Sequence, residues 1–207
     1  MVFVVTLFSG MNSFAADLKV HPNFYALVID IEYSSSNYQT TSTYPNGDVK
    51  EWVLKYSFPM EDNFYDYFPL ASPVVEMVDA IYLSVSDSVD FYWGIKGQCV
   101  GLVKISTNNV SGDSDTWIKG SPVNASIPPS KGTVIAYYNG QSIYPKYGGG
   151  HVAIYWGKDR NGAHILVDQN WGYMNNSQWY PDYKIRKHVL SGSGGRNSIS
   201  NYHIVTK

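Results

Sequence analysis

The second half of the chain predicts an α+β fold, in which one short helix is followed by a run of antiparallel strands. A glycine-punctuated turn at 93–97 leads into an apolar segment from Cys99 to Ile105, a pattern typical of a short helix. Segments rich in β-branched and aromatic residues then recur to the end of the chain. Turn signals such as Asn139-Gly140 separate them. This order of elements favours an α+β layout.

Hydrophobic periodicity and turn residues predict the individual elements in chain order. Before the short helix we expect a strand at 24–33, a polar loop at 34–43, a tight turn at 45–48, a strand at 49–58 and a helix at 73–82. Ser72 and Pro73 supply the cap and the first turn of that earlier helix. After Ile105 we expect a polar loop at 108–115, strands at 131–138, 151–157, 163–171, 185–190 and 202–206, and a glycine-serine loop at 191–195.

The first sixteen residues, 1–16, resemble a secretory signal peptide. Residues 2–8 are apolar, and Ala15 and Ala16 stand at a spacing typical of a cleavage site, with Asp17 near the predicted mature start. No Lys or Arg precedes the apolar run, so a buried strand is the alternative interpretation. The signal-peptide interpretation predicts a secreted or periplasmic protein.

The composition excludes several classes of function. A net charge of −2 without a basic run argues against a nucleic-acid partner. No segment after the first sixteen residues approaches the roughly 20 apolar residues of a membrane span. The single cysteine excludes an internal disulfide and a multi-cysteine metal site, and no metal-ligand spacing is present, so we expect no metal and no cofactor. The 18 Tyr and 6 Trp suit contact with carbohydrate or peptide.

Cys99 is the candidate nucleophile. At the start of a helix its thiol would face unpaired backbone N–H groups and the positive end of the helix dipole, which lower the thiol pKa and favour the reactive thiolate. The alternative is an inert, buried cysteine, because free cysteine is often buried. The presence of a candidate base and orienting group further along the chain favours the nucleophile.

His151 is the candidate base, because a cysteine nucleophile needs a base within hydrogen-bond reach and the base needs an orienting group. It opens a strand directly after three glycines, at 148–150. Asp168 and Asn170 are the candidate orienting groups, since alternation along a strand places them on one face. A turn at 159–162 predicts that their strand lies antiparallel to the strand of His151, which brings the imidazole close to a carboxylate or an amide.

Three motifs therefore occur in a fixed order: Gly97-Gln98-Cys99, Gly150-His151-Val152-Ala153-Ile154 and Val167-Asp168-Gln169-Asn170-Trp171. Together they resemble the motifs of the CHAP branch of papain-like cysteine peptidases and amidases, which is close to NlpC/P60. The resemblance covers about residues 93–207. It implies a papain-like fold, with the cysteine on a short helix packed against an antiparallel sheet.

The resemblance also implies a role for each site residue. Cys99 would be the nucleophile, His151 the general base and Asp168 the orienting group, in preference to Asn170. Asn170 would be a second polar support for the imidazole. The backbone N–H of Cys99 and the side chain of Gln98 would stabilise the oxyanion. Residues 93–207 would form the catalytic domain and 17–92 an accessory region. Three other histidines are expected to be structural: His164, His188 and His203.

By the same resemblance, the expected activity is that of a cysteine amidase or endopeptidase that cuts an amide bond of peptidoglycan through an acyl-enzyme. Such enzymes serve wall remodelling, phage lysis or attack on rival bacteria, and the last group includes amidase effectors of the type VI secretion system. A cognate immunity protein is then an expected partner. Two other functions stay open: a non-catalytic module that binds cell wall or glycan, and a different papain-like reaction such as acyl transfer to an amine.

Overall fold

The computed structural model of the chain describes residues 15–22, 24–25, 28, 38–54, 99–107, 114–142, 144, 149–175, 178–180, 185–190 and 192–207. Within these ranges the strands are β1 (Tyr38–Thr43), β2 (Val49–Leu54), β3 (Ile118–Pro122), β4 (Val134–Tyr137), β5 (His151–Lys158), β6 (His164–Gln169), β7 (Tyr173–Asn175), β8 (Gln178–Tyr180), β9 (Ile185–Val189) and β10 (Tyr202–Thr206). The α-helix α1 spans Cys99–Ser106, and short 3-10 helices span Ser114–Thr116, Gly195–Asn197 and Ile199–Asn201.

An eight-stranded sheet in the order β1-β2-β9-β6-β5-β4-β10-β3 dominates the described part of the chain. Each pair of neighbouring strands is antiparallel. The predicted antiparallel sheet is therefore confirmed. A separate two-stranded sheet pairs β7 with β8, a hairpin that the sequence did not predict. No helix among the described residues is long and apolar enough to cross a bilayer.

The helix α1 packs on β5 and β6 at the centre of the sheet. Leu102 and Val103 are buried on its inner side, where they join the same apolar cluster as Val152, Ile154 and Val167. Burial of each such side chain contributes about 1.5–3 kcal/mol. The helix ends where Thr107 donates its hydroxyl proton and its backbone N–H to the carbonyl of Val103. The buried face thus fixes where Cys99, the first residue of α1, meets the sheet.

The central strands are buried on both faces. Alternate residues such as Ile135, Ala153 and Leu166 form a second cluster on the side of the sheet opposite Val134 and Ile154. A strand that is covered on both sides needs an apolar residue at nearly every position. This explains why 151–157 reads as a continuous apolar run and was predicted correctly as a strand.

A short hairpin joins β5 to β6, as the sequence predicted. The Asp159 carboxylate accepts hydrogen bonds from the backbone N–H groups of Asn161 and Ala163, at 2.9 and 2.8 Å. Gly162 has φ +82°, a left-handed conformation that glycine adopts without steric cost. The pairing of Ile154 with Val167 then brings the start of β5 beside the end of β6.

The predicted strand at 24–33 is wrong at its start. Pro22, Phe24, Tyr25 and Val28 are helical, while residues 29–33 lie outside the described residues. Phe24 and Val28 are four positions apart, so a helix places them on one face, and both are buried in the core. Pro22 suits the first turn of a helix. Aromatic and β-branched composition favoured a strand here, but burial of the helical face outweighed it.

The predicted loop at 34–43 is wrong over the part that the structure describes. Tyr38–Thr43 is the edge strand β1, joined to β2 by the predicted turn, in which Gly47 has φ +89°. Among the residues of β1 only Tyr38 is buried, so its sequence lacks the apolar alternation of a half-buried strand. Since β2 pairs with β9, this hairpin extends the central sheet. The predicted boundary at residues 92 and 93 stays a prediction.

Several other predictions fall outside the described residues. These are the apolar stretch of the predicted signal peptide, residues 55–58 of the second strand, the helix at 73–82, the loop at 108–113 and the side chain of Gln98.

Candidate active site

The Cys99 thiol lies at the first residue of α1 and is almost completely buried. Its Sγ is 3.5 Å from the hydroxyl oxygen of Tyr144. It also interacts with the His151 imidazole and with the backbone N–H of Val152. Burial raises the pKa of the Cys99 thiol, but the hydrogen bond and charge of His151, with the bond from Tyr144, outweigh it, so the pKa lies below its ordinary value. The surroundings therefore favour the thiolate.

The His151 imidazole stands at the first position of β5 and is only 2% exposed. Its Nε2 is 2.7 Å from Oδ2 of Asp168, which leaves Nδ1 as the ring nitrogen available to the thiol. Burial lowers the pKa of His151, but the hydrogen bond and charge of Asp168 and the contact with Cys99 raise it to about 9. The lowered pKa of the thiol and the raised pKa of the imidazole both favour a thiolate–imidazolium pair.

The Asp168 carboxylate is fully buried on β6. Burial raises its pKa, whereas His188 nearby and the hydrogen bond and charge of His151 lower it, and the net pKa lies below its ordinary value. Its second oxygen, Oδ1, makes no hydrogen bond within the described part of the chain. Asp168 is therefore a buried anion that forms a hydrogen bond with the candidate base.

The sequence predicted that Asn170 lies on the same strand face as Asp168, but β6 ends at Gln169 and Asn170 lies beyond the strand. Asn170 follows in a left-handed conformation with φ +57°, which asparagine tolerates better than most residues. Alternation along the strand therefore does not extend to it. Asn170 is buried, and its role as a second support for the imidazole stays a prediction.

His188, expected to be structural, lies next to Asp168. Its Nε2 is 3.5 Å from Oδ2 of Asp168, and the pairing of His188 with Leu166 places it on the face of the sheet that carries Asp168. Burial lowers the pKa of His188 below its ordinary value, opposed by the charge of Asp168 and helped by that of Arg186. The low pKa of Asp168 therefore depends on His188 and Arg186 as well as on the hydrogen bond and charge of His151.

Trp171 lies between the two imidazoles. Its ring centroid is 5.0 Å from that of His151 and 4.2 Å from that of His188, both in edge-to-face geometry. The guanidinium of Arg196 lies 4.7 Å over the same indole and donates a hydrogen bond to the carbonyl of Gly172. These contacts restrict the orientation of both rings.

Sequence reasoning did not single out Tyr144, His188 or Arg196 as neighbours of the site. Trp171 belongs to the third motif, but the motif gave it no role. Only His188 had a usable signal, since alternation with Arg186 on a strand beside β6 would have placed it near Asp168. Of the other histidines expected to be structural, His164 contacts the Tyr155 hydroxyl through Nδ1 at 3.1 Å. No group of three metal-ligating side chains is gathered anywhere in the described ranges.

The arrangement supplies the parts that acyl transfer requires. Cys99 is a thiol activated by an adjacent imidazole, His151 can carry a proton, and Asp168 holds the imidazole by a charge-assisted hydrogen bond. All three side chains are withdrawn from water, which strengthens their electrostatic interactions.

Comparison with known proteins gives one family and one solved structure. The sequence pattern of the family described as domesticated amidase effector 2 matches residues 79–190, which is more than half of the chain. A solved structure titled type 6 secretion amidase effector 2 (Tae2) is 25% identical, and the match covers 53% of this chain and 80% of that chain with a TM-score of 0.38. No curated protein matches the chain.

Proposed function

The chain belongs to the domesticated amidase effector 2 family, and from this premise we propose that it is a cysteine amidase that cuts an amide bond in the peptide part of bacterial peptidoglycan. The observation that carries the proposal is the buried series of contacts from Cys99 through His151 to Asp168. An inert structural cysteine would need neither a base nor a buried anion behind that base. We also propose that the chain has the papain-like fold of CHAP and NlpC/P60 enzymes.

The proposed reaction has two halves. The Cys99 thiolate attacks the amide carbonyl carbon and forms a C–S bond, and the His151 imidazolium gives its proton to the departing amine as the C–N bond breaks. Neutral His151 then takes a proton from water as the hydroxide oxygen attacks the thioester carbonyl. Departure of the thiolate releases the carboxylic acid, and the ion pair is restored. Asp168 keeps the imidazole oriented and stabilises its positive charge.

The oxyanion of each tetrahedral intermediate would be stabilised by the backbone N–H of Cys99, at the start of α1, and by the side chain of Gln98. The first assignment is supported by the position of Cys99 at the positive end of a helix dipole. The second follows from the motif Gly97-Gln98-Cys99.

A substrate in the cell wall implies action outside the cytoplasm, in the periplasm or after secretion. It also implies an immunity protein in any bacterium that makes the enzyme to attack rivals. The proposed localisation is supported by the signal-like residues 1–16 and by the resemblance to wall-degrading effectors. The proposed immunity protein is supported by that resemblance alone.

The test is digestion of purified peptidoglycan with mass spectrometry of the released fragments. We expect new carboxyl and amino ends from the wild type, and a loss of at least about 10³-fold in rate for Cys99→Ala and for His151→Ala, because members of a catalytic triad act as a unit. His164→Ala is the matched control, since His164 lies outside these contacts, and should retain activity.

Three results would contradict the proposal. Wild-type rates from folded Cys99→Ala would exclude cysteine catalysis. Binding to peptidoglycan without cleavage by the wild type would favour a non-catalytic wall-binding module. Products in which an added amine, rather than water, has taken the acyl group would identify a transferase.

A further inference from the structure

The Tyr144 side chain contacts the sulfur of Cys99, and neither the motifs nor the proposed mechanism uses it. Its hydroxyl oxygen is 3.5 Å from Sγ, within the range of a hydrogen bond to sulfur. The residue is 5% exposed, and its ring packs edge-to-face on Trp117 and Tyr138, at centroid distances of 5.6 and 5.9 Å. Its backbone N–H donates to the carbonyl of Trp117. Packing therefore directs the hydroxyl at the thiol.

The direction of this hydrogen bond follows from the charges of the two groups. Burial, with the nearby charge of Cys99, holds the pKa of Tyr144 well above its ordinary value, so the phenol keeps its proton. A thiolate has no proton to give and can only accept. In the ion-pair form of the site, Tyr144 must therefore be the donor and Cys99 the acceptor.

We propose that Tyr144 is a further catalytic residue, whose hydroxyl stabilises the Cys99 thiolate together with His151. Its role in catalysis rests on the proposed amidase function, although its effect on the thiol does not. Two side-chain donors and the N–H of Val152 then surround the sulfur. Tyr144 makes the nucleophile available at lower pH than His151 alone would allow, and it restricts the position of Sγ before attack.

The test uses the fact that Cys99 is the single cysteine of the chain, so alkylation by iodoacetamide reports on this thiol alone. The rate of alkylation is measured against pH for the wild type, Tyr144→Phe and Tyr138→Phe. Tyr138 is the matched control because its ring belongs to the same aromatic cluster, while its hydroxyl donates to the carbonyl of Ile118 at 2.9 Å.

We expect the midpoint of the titration to rise by about one pH unit in Tyr144→Phe and to stay unchanged in Tyr138→Phe, because a hydrogen bond to a charged group is lost only in the first. The acid limb of kcat/KM should move by the same amount. An unchanged midpoint in Tyr144→Phe would overturn the proposal, and so would an equal rise in Tyr138→Phe, which would trace the effect to packing.

Thermal melting of each variant shows whether it folds, and Tyr144→Leu removes the same hydroxyl if the Phe variant does not. Alkylation needs no substrate, so the two proposals fail separately. A raised midpoint in Tyr144→Phe without any amide cleavage by the wild type would support Tyr144 as a hydrogen-bond donor to the thiolate and refute the amidase function. Amide cleavage by the wild type with an unchanged midpoint in Tyr144→Phe would support the amidase and refute the role of Tyr144.

Discussion

Asp168→Asn removes one charge from the site while changing its shape very little. The Oδ2 of Asp168 is 2.7 Å from Nε2 of His151, and the carboxylate is fully buried. Asparagine has nearly the same size and can still accept a hydrogen bond from the imidazole through its amide oxygen. The substitution therefore separates the charge of Asp168 from its hydrogen bond.

The magnitude follows from the pKa of His151. That pKa is raised to about 9 from an ordinary value of 6.5, and the difference corresponds to about 3 kcal/mol in favour of the imidazolium, at about 1.4 kcal/mol per pH unit. Burial opposes this rise, and the hydrogen bond and charge of Asp168 contribute more to it than the contact with Cys99 does. We assign about 2–3 kcal/mol to Asp168, and its loss should lower kcat/KM about 10²-fold.

The sign of the pH effect is also determined. Because the pKa of His151 is raised to about 9, we expect the ion pair of the wild type to persist to that pH and the alkaline limb of activity to lie there. Asp168→Asn removes the anion that raises the pKa of His151, so this limb should move to lower pH. The assay is the rate of release of peptide fragments from soluble peptidoglycan across a pH series, with Asn170→Ala as control. A larger loss for Asn170→Ala, or an unmoved alkaline limb in Asp168→Asn, would refute the assignment of Asp168 as the orienting group.

Two further predictions concern the thiol and the core. Iodoacetamide should alkylate Cys99 at mildly acidic pH, because the contacts of its sulfur lower the thiol pKa; a midpoint near the ordinary value of about 8.5 would show that the thiol is not activated. Trp52→Ala should lower the free energy of unfolding by about 3–5 kcal/mol in urea denaturation, because Trp52 on β2 is only 1% exposed and its removal leaves a cavity. Ile118→Ala, at a side chain that is 52% exposed, is the control and should change it by less than about 1 kcal/mol. An unchanged free energy for Trp52→Ala would mean that β1 and β2 do not share the cooperative core.

The strands that the sequence predicted correctly are those with an unambiguous local pattern. β4, β5 and β6 are apolar runs bounded by glycine turns, and no competing helical pattern fits them. The prediction for residues 24–28 was wrong because the spacing of Phe24 and Val28 fits a helix while their composition fits a strand. Only packing against the core decides between the two structures. The strand β1 was not predicted because an edge strand with one buried residue has no apolar alternation to detect.

The same distinction applies to the site. The proximity of His151 and Asp168 was predictable, because a short hairpin between neighbouring strands fixes it through local geometry. The contact of Tyr144 with Cys99 was not, since 45 positions separate the two residues and the contact exists only after α1 and the aromatic cluster around Trp117 have packed. Asn170 shows where strand periodicity stops being a guide, since a single residue in a left-handed conformation ends the alternation of side chains.

The charges of the site explain why its residues must occur together. Burial alone opposes the charged form of each of Cys99, His151 and Asp168. The thiolate and the carboxylate each stabilise the imidazolium between them, and the imidazolium stabilises both, so the three groups ionise as a unit. Removal of one member leaves the other two with the full cost of burial and without the compensating charge. The effects of single substitutions should therefore not add, because each of them disrupts the same coupled set of interactions.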